Sequence, residues 1–293
     1  MTDLASWELD HGDLIAPGLI AMKLIGGGTA YEAYLAFDES MYSPVVVKVV
    51  RPDQVDDGDT LKGLDREVEM LRRLNHPVVV RRFASDERGE RPHIVLENLD
   101  GPSLSSLLRR HGPLQLPQLL PLGIEMCSAL HYLRGAAVCH LDIKPSNIIM
   151  GAPARLIDLS VARDVADSQT LTYPIGSDEY MAPEQCDPLA FGGVGFAADM
   201  WGLGATLFKA VSGYRAFDNA DPDQRDPARR WPQLVAAPYT LPDQVPAELA
   251  DLILSCLHQD PADRPAPGEF ADALEPMMAA LPKARLSGFK ISL

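Results

Sequence analysis

The sequence predicts an α+β protein of two lobes, a small β-rich N-lobe with one main helix and a larger, mostly helical C-lobe. Between Leu19 and Glu97, short runs rich in β-branched and aromatic residues, such as "AYLAF" and "VVVKVV", surround one helical stretch. From Leu104 onward, helical patterns dominate and are separated by loops rich in proline and glycine. This change of pattern places the junction between the lobes near "ENLDGPS".

The composition indicates a globular protein and limits its partners. The 293 residues, 46% of them hydrophobic, suffice for two lobes that each bury a core. The formal net charge of -15 argues against nucleic acid or an anionic membrane as the main partner, because both are polyanions. No apolar run approaches the roughly 20 residues of a membrane span, and the N-terminus is acidic where a signal peptide is basic. We therefore expect a cytoplasmic protein without a membrane span.

The four cysteines are spread along the chain and form no C-x-x-C pair or metal-ligand spacing. We predict that all four are free thiols: Cys127, Cys139, Cys186 and Cys256.

The N-lobe contains three features that suit an anionic ligand. The stretch "LIGGGTAYEAYLA" joins two predicted strands through consecutive glycines, which let the backbone approach phosphate oxygens; a plain hairpin turn is the alternative. Lys48 lies within the strand "VVVKVV", where a buried ammonium needs an anionic partner unless it reaches solvent at the strand end. Glu67 lies on the amphipathic helix "DTLKGLDREVEMLRRL" and turns either inward or into a surface ion pair.

The stretch "HLDIKPSNIIM" carries the most specific pattern. His140, Asp142, Lys144 and Asn147 stand in register with H-R-D-x-K-P-x-N, so the stretch resembles the catalytic loop of protein kinases. Further motifs of that family follow in order: Asp158 in "LIDLSVAR", Ala182-Pro183-Glu184 in "GSDEYMAPEQ", Asp199 in "AADMWGLG", and Arg264, suited to pair with Glu184, in "DPADRP". The chain is similar to bacterial eukaryotic-like (Hanks-type) serine/threonine kinases.

The resemblance covers about residues 18–282 and implies the bilobal protein-kinase-like fold. It divides the chain into an N-terminal extension at 1–17, an N-lobe at 18–97, a hinge at 97–103, a C-lobe at 104–282 and a C-terminal tail at 283–293.

The resemblance also implies a site for ATP and Mg²⁺, with Mn²⁺ as a substitute. In this family Lys48 would hold the α and β phosphates and be fixed by Glu67, Asp142 would orient the substrate hydroxyl, and Lys144 would steady the γ phosphate. Asn147 and Asp158 would supply the oxygen ligands that Mg²⁺ requires. Leu96 would be the gatekeeper beside the adenine. The expected nucleotide pocket consists of Ile25, Gly26, Gly27, Gly28, Ala33, Val46, Lys48, Leu96, Glu97, Leu99 and Ile149.

Several positions depart from the family pattern. Tyr31 replaces the third glycine of the loop, Ser160 replaces the glycine of D-F-G, and Leu141 replaces the arginine before the catalytic aspartate, which makes the chain a non-RD type. Ala33 and Val46 exchange the usual valine and alanine above the adenine, and we interpret this either as a volume-conserving swap or as two neutral changes.

We therefore expect an ATP-dependent kinase acting on Ser/Thr of protein substrates, with a homodimer left open. A pseudokinase or weakly active nucleotide-binding regulator is the alternative. A small-molecule kinase is disfavoured because such enzymes are expected to lack the later motifs. Because Leu141 offers no cation, we expect basal activity to be independent of activation-loop phosphorylation. Arg163 is the alternative receiver of a phosphate, and the loop contains these candidate acceptors: Ser168, Thr170, Thr172 and Ser177.

Overall fold

A six-stranded antiparallel sheet forms the N-lobe, in the strand order β1-β2-β3-β4-β6-β5. The computed structural model describes residues 5–282, so the tail at 283–293 and the first four residues of the N-terminal extension lie outside the described part. The strands are β1 (Leu14–Ala16), β2 (Leu19–Gly27), β3 (Tyr31–Asp38), β4 (Ser43–Val50), β5 (Arg82–Asp86) and β6 (His93–Glu97).

Helix α1 (Gly58–Arg73) is the main helix of this lobe. It begins at the N-cap Asp57, whose carboxylate accepts a hydrogen bond from the backbone N–H of Thr60 at 2.8 Å. The predicted apolar stripe is buried, with Leu64, Val68 and Leu71 facing the core.

The outer face of the sheet is covered by the residues that precede β2. Trp7 and Leu9 pack against an apolar cluster that includes Ile15 and Tyr34. The indole Nε1 of Trp7 donates a hydrogen bond to the carbonyl oxygen of Val50 at 2.8 Å. The edge strand β1 has only three residues, and the Arg91 guanidinium donates to the Leu14 carbonyl oxygen at 2.8 Å. Residues 5–17 of the N-terminal extension are therefore packed as part of the N-lobe.

The C-lobe is mostly helical, as predicted. Its helices are α2 (Leu104–His111), α3 (Leu116–Gly135), α4 (Val165–Ser168), α5 (Pro183–Cys186), α6 (Pro188–Phe191), α7 (Ala197–Ser212), α8 (Pro227–Arg230), α9 (Ala247–Ser255) and α10 (Pro267–Ala279). Two small antiparallel ribbons face the N-lobe: β7 (Val138–Cys139) pairs with β10 (Arg163–Asp164), and β8 (Ile148–Ile149) pairs with β9 (Arg155–Leu156). Helix α3 packs against both α10 and α7, and these ribbons present the loops of the candidate site.

The four cysteines are buried free thiols, which confirms the prediction for Cys127, Cys139, Cys186 and Cys256. Burial raises the pKa of Cys127 and of Cys139 to about 12, so neither thiol ionises at neutral pH. Across residues 5–282, no helix combines the length and the apolar character needed to cross a bilayer.

Candidate active site

A charged corner forms where β4, α1 and the segment after β9 meet. The Lys48 ammonium lies 2.7 Å from Glu67 Oε2 and 2.9 Å from Asp158 Oδ1. Glu67 is buried because its position on α1 faces inward beside Leu64 and Leu71. The sequence analysis left the direction of Lys48 and Glu67 open, and both turn inward and meet.

The charges of this corner stabilise one another. Burial alone would lower the pKa of Lys48, but the carboxylates of Glu67 and Asp158 outweigh it and raise that pKa above its usual value. Burial likewise opposes ionisation of Asp158, yet the Lys48 ammonium holds the pKa of this carboxyl well below its usual range. Lys48 is therefore a cation and Asp158 an anion at neutral pH.

Asp199 of α7 fixes the start of the loop from His140 to Asn147. The Asp199 carboxylate accepts hydrogen bonds from the backbone N–H groups of His140 at 2.8 Å and Leu141 at 2.7 Å. This anchor holds Leu141 at a φ of 66°, a left-handed conformation that is unfavourable for leucine without such support. The Leu141 side chain is 2% exposed and packs in the core, which agrees with a packing role.

Asp142 has one satisfied and one unsatisfied carboxylate oxygen. Its Oδ2 lies 2.7 Å from the Lys144 ammonium and accepts a hydrogen bond from Asn147 Nδ2 at 3.0 Å. Its Oδ1 is buried and has no hydrogen-bond partner among the described residues. A buried oxygen of this kind is costly unless a ligand donates to it, so Oδ1 is the free acceptor of the site.

Lys144 also donates to the Ser177 hydroxyl at 2.6 Å. This contact joins the catalytic-loop segment to the segment before α5. Ser177 stands where the resemblance places a hydroxyl residue that lines the substrate site.

Asn147 and Asp158 have oxygen atoms suited to a hard cation. Asn147 uses its Nδ2 to donate to Asp142, and Asp158 uses Oδ1 for Lys48; the hydrogen bonds of the described residues leave Asn147 Oδ1 and Asp158 Oδ2 unused. The backbone N–H of Ile157 donates to the Asn147 carbonyl at 2.9 Å, which keeps the two side chains on neighbouring segments. Residues 5–282 contain no group of three or more His, Cys, Asp or Glu that could hold a metal unaided. Two oxygens fit Mg²⁺, which completes its shell with phosphate and water.

The glycine-rich hairpin leaves room above this corner. A Cβ added at Gly26 or Gly28 would meet no atom within 4 Å, whereas one at Gly27 would lie 2.6 Å from the Tyr31 carbonyl oxygen. The open side is space for phosphates, and Gly27 is required by the close approach of the backbone. One expectation needs correction: the Gly28 N–H donates to the Tyr31 carbonyl at 2.9 Å and closes the turn, so it is not free for a phosphate.

Three other predicted pocket residues lie on neighbouring strands beside Lys48. Ala33 pairs with Lys48 in the register of β3 and β4, and Val46 lies two residues earlier on β4, so both side chains are on the face that carries Lys48. Leu96 is buried on β6 opposite Val46. The remaining residues are Ile25 on β2, Glu97 at the end of β6, Leu99 beyond it, and Ile149 on β8.

The activation segment requires one correction. Ser168 is fully buried and its hydroxyl donates to the Val194 carbonyl at 2.8 Å, so it is not accessible as a phosphate acceptor in this conformation. Arg163 is 8% exposed and donates to the carbonyl oxygens of Val161 and Ala162 at 2.8 and 2.9 Å. In contrast, Thr170 and Thr172 are exposed.

Three sets of contacts near the site were missed by the sequence analysis. The stretch after α7 is polar in composition, yet its Trp231 is buried and donates to Asp178 Oδ1 at 2.9 Å. The Tyr31 hydroxyl donates to the Thr60 carbonyl at 2.9 Å. On the outer face, Glu32 is fully buried and pairs with Arg51 at 3.0 Å. These pairs join segments without a fixed sequence spacing, and the only signal for Glu32 was a charge within an otherwise apolar strand.

Comparison with known proteins gives a consistent result. The sequence model described as "Protein kinase domain" matches residues 19–275. The chain is 28% identical over 262 residues to "Serine/threonine-protein kinase PknB" of Mycobacterium tuberculosis (strain ATCC 25618 / H37Rv), covering 83% of this chain and 40% of that protein. It is 32% identical over 264 residues to "Serine/threonine-protein kinase PknK" of the same strain, covering 87% of this chain and 23% of that protein. It is 32% identical over 260 residues to "Probable serine/threonine-protein kinase PkwA" of Thermomonospora curvata, covering 87% of this chain and 33% of that protein. The chain thus spans less than half the length of each relative.

Proposed function

Since this chain belongs to the protein kinase domain family, we propose that it transfers the γ-phosphate of ATP to Ser or Thr hydroxyls of protein substrates. The observation that carries the proposal is the state of Asp142. Lys144 and Asn147 hold its Oδ2, while Oδ1 is buried and lacks a partner within residues 5–282. An incoming hydroxyl group would donate to this oxygen and satisfy it.

The roles of the residues follow from the charge that develops during phosphoryl transfer. Lys48, fixed by Glu67, is a pre-positioned cation for the α and β phosphates, so no reorganisation is needed when charge shifts. Asp142 orients the hydroxyl and accepts its proton, and Lys144, 2.7 Å from Asp142, is placed beside the transferred group. Mg²⁺, held by Asn147 and Asp158, would neutralise phosphate charge.

The alternative is a pseudokinase or a weakly active nucleotide-binding regulator, suggested by Tyr31 and Ser160. The geometry favours activity, because Ser160 is not among the described residues with positive φ. Its backbone N–H instead points to Asp158 Oδ1 at 3.3 Å. Serine therefore fits this conformation without the freedom of glycine, and all the charged groups of the site are retained.

We also propose a non-RD mode of control. Leu141 is buried and apolar beside Asp142, and Arg163 uses its guanidinium on backbone carbonyls. Leu141 therefore offers no cation to an activation-loop phosphate, and the Nη1 of Arg163 is engaged with the main chain. The Lys48–Glu67 pair involves no residue of the activation loop, which supports basal activity that needs no phosphate on Thr170 or Thr172.

The test uses purified protein with Mg²⁺, labelled ATP and a general protein substrate. Asp142→Asn keeps the size of the side chain but removes its charge, so we expect transfer to fall by about 10²- to 10⁴-fold. The matched control is Asp251→Asn, which changes an exposed carboxyl on α9 and is expected to leave transfer unchanged. Label on Ser or Thr that disappears in Asp142→Asn supports the proposal. Nucleotide binding without transfer by the wild type would instead support the regulator.

A further inference from the structure

We propose that Tyr31 is a positioning residue that fixes helix α1 to the glycine-rich hairpin and so holds Glu67 against Lys48. This inference rests on the proposed function, because it assigns a control element to that same site. Tyr31 occupies the position of the third glycine, where a side chain is unexpected. Its hydroxyl donates to the Thr60 carbonyl of α1 at 2.9 Å.

The contact lies on the face of α1 that carries Glu67. Thr60, Gly63 and Glu67 are spaced at i, i+3 and i+7, so they lie along one side of the helix. A Cβ added at Gly63 would lie 3.2 Å from the Tyr31 hydroxyl oxygen, so a glycine at this position gives the ring its room. Thr60 and Glu67 are roughly 10 Å apart along the helix axis.

Tyr31 and Lys48 therefore hold the same helix face at two points. The Lys48 ammonium lies 4.6 Å from the centre of the Tyr31 ring, so the two contacts also support each other. The ion pair with Lys48 holds the middle of α1 at the cleft, beside the apolar face that packs in the core. The Tyr31 contact also fixes the first turn of α1, so the helix is held at the cleft at two points.

The backbone of Tyr31 belongs to the hairpin that covers the phosphates. Its carbonyl oxygen accepts the hydrogen bond from the Gly28 N–H at 2.9 Å that closes the turn. Burial raises the pKa of Tyr31 to about 12, so the hydroxyl keeps its proton and remains a donor at neutral pH. Tyr31 thus joins the hairpin to α1: its main chain belongs to the hairpin, and its hydroxyl donates to α1.

The first test compares Tyr31→Phe with Tyr214→Phe. Both remove a tyrosine hydroxyl that donates to a backbone carbonyl, but Tyr214 donates to Thr240 in the C-lobe, away from the site. Amide hydrogen exchange over residues 58–73 is measured without nucleotide, and kcat and KM for ATP are measured separately. The net value of one hydrogen bond corresponds to about a two- to tenfold effect.

For Tyr31→Phe we expect faster exchange in α1 and a two- to tenfold lower kcat, while Tyr214→Phe leaves both unchanged. Unchanged exchange in Tyr31→Phe, or an equal change in the control, overturns the proposal. If the wild type transfers no phosphate, the exchange measurement still decides whether Tyr31 holds α1. Failure of the proposed function is therefore distinguishable from failure of this inference.

The second test uses Gly63→Ala in two backgrounds. In the wild type the added methyl group crowds the Tyr31 hydroxyl, so we expect faster exchange at the start of α1 and a lower kcat, although alanine favours helix formation. In Tyr31→Phe the hydroxyl is gone and the same substitution has space, so it no longer lowers kcat. Equal effects in both backgrounds would show that Gly63 acts independently of Tyr31 and would overturn the proposal that Tyr31 fixes α1 to the hairpin.

Discussion

Two of the buried ion pairs differ in character: one lies in the C-lobe and the other in the cleft. In the C-lobe, the Arg264 guanidinium donates to both carboxylate oxygens of Glu184 at 2.6 and 2.9 Å. It also donates to the His258 carbonyl at 2.9 Å and the Ala197 carbonyl at 3.0 Å, and it lies 5.0 Å from the centre of the Trp201 ring. Every nitrogen of this guanidinium has a partner.

The corner at Lys48 is left incomplete. Glu67 Oε1 and Asp142 Oδ1 are buried without hydrogen-bond partners in the part of the chain that the structure describes. Asp158 remains 35% exposed, whereas the Arg264 and Glu184 side chains are 0% and 1% exposed. The difference teaches that a pair serving stability is saturated by the protein, while a pair serving chemistry leaves atoms for a ligand to satisfy.

The largest effect on stability is expected from Glu184→Gln. This substitution leaves the Arg264 charge buried without its counter-ion, so the free energy of unfolding should fall by about 3–5 kcal/mol. The measurement is the midpoint and slope of urea denaturation without nucleotide. A loss below about 1 kcal/mol would mean that the Arg264–Glu184 pair contributes no more to the free energy of unfolding than the pair in the cleft does.

Lys48→Met tests the ion pair in the cleft, which we expect to affect activity more than stability. Losing the cation for the phosphates should lower kcat/KM by about 10²- to 10³-fold, or about 2.7–4 kcal/mol in the barrier. Burial raises the pKa of Glu67, so this carboxyl can take up a proton when the cation is gone, and the partly open corner lets water reach Asp158. The urea midpoint should therefore change much less than in Glu184→Gln. A collapse of stability in Lys48→Met would contradict the comparison.

A smaller effect is expected from the pair Ala33 and Val46. Ala33→Val adds volume to the face that carries Lys48, and overpacking by roughly 1 kcal/mol would raise KM for ATP about fivefold. Val46→Ala in the same molecule should restore the wild-type value if the two residues exchange volume. Additive effects in the double variant would indicate two independent changes.

The smallest effect is expected from the activation segment. Because Leu141 offers no cation to a phosphate and Arg163 is buried with its Nη1 on main-chain carbonyls, a Thr170→Ala, Thr172→Ala variant should keep its activity within about twofold on an exogenous substrate. Phosphatase-treated wild type is the reference. A loss beyond about tenfold, roughly 1.4 kcal/mol in the barrier, would show that the loop needs its phosphate.

The sequence predicted the parts of the site that have fixed spacing. Asp142, Lys144 and Asn147 lie within one short loop, so their order along the chain nearly determines their proximity. The contact between Tyr31 and Thr60 was not predictable in this way, because it depends on how α1 packs under the hairpin. The same holds for Trp231 and Asp178, which are joined only by the packing of a segment that resembled a loop in composition. The two lobes could be predicted from the periodicity of apolar residues. These tertiary contacts leave no periodic pattern in the sequence.

The short strand β1 has a consequence for association between copies of the protein. It has three residues and pairs only with Leu19 and Ile20 at the start of β2, a strand of nine residues. The Arg91 guanidinium donates to the carbonyl oxygens of Leu14 and Ile15 at 2.8 and 3.2 Å and so occupies part of the new edge. A short edge blocked by a charge is a poor template for a foreign strand. Residues 5–17 therefore protect the start of β2 against pairing with a strand of another copy and the aggregation that follows from it.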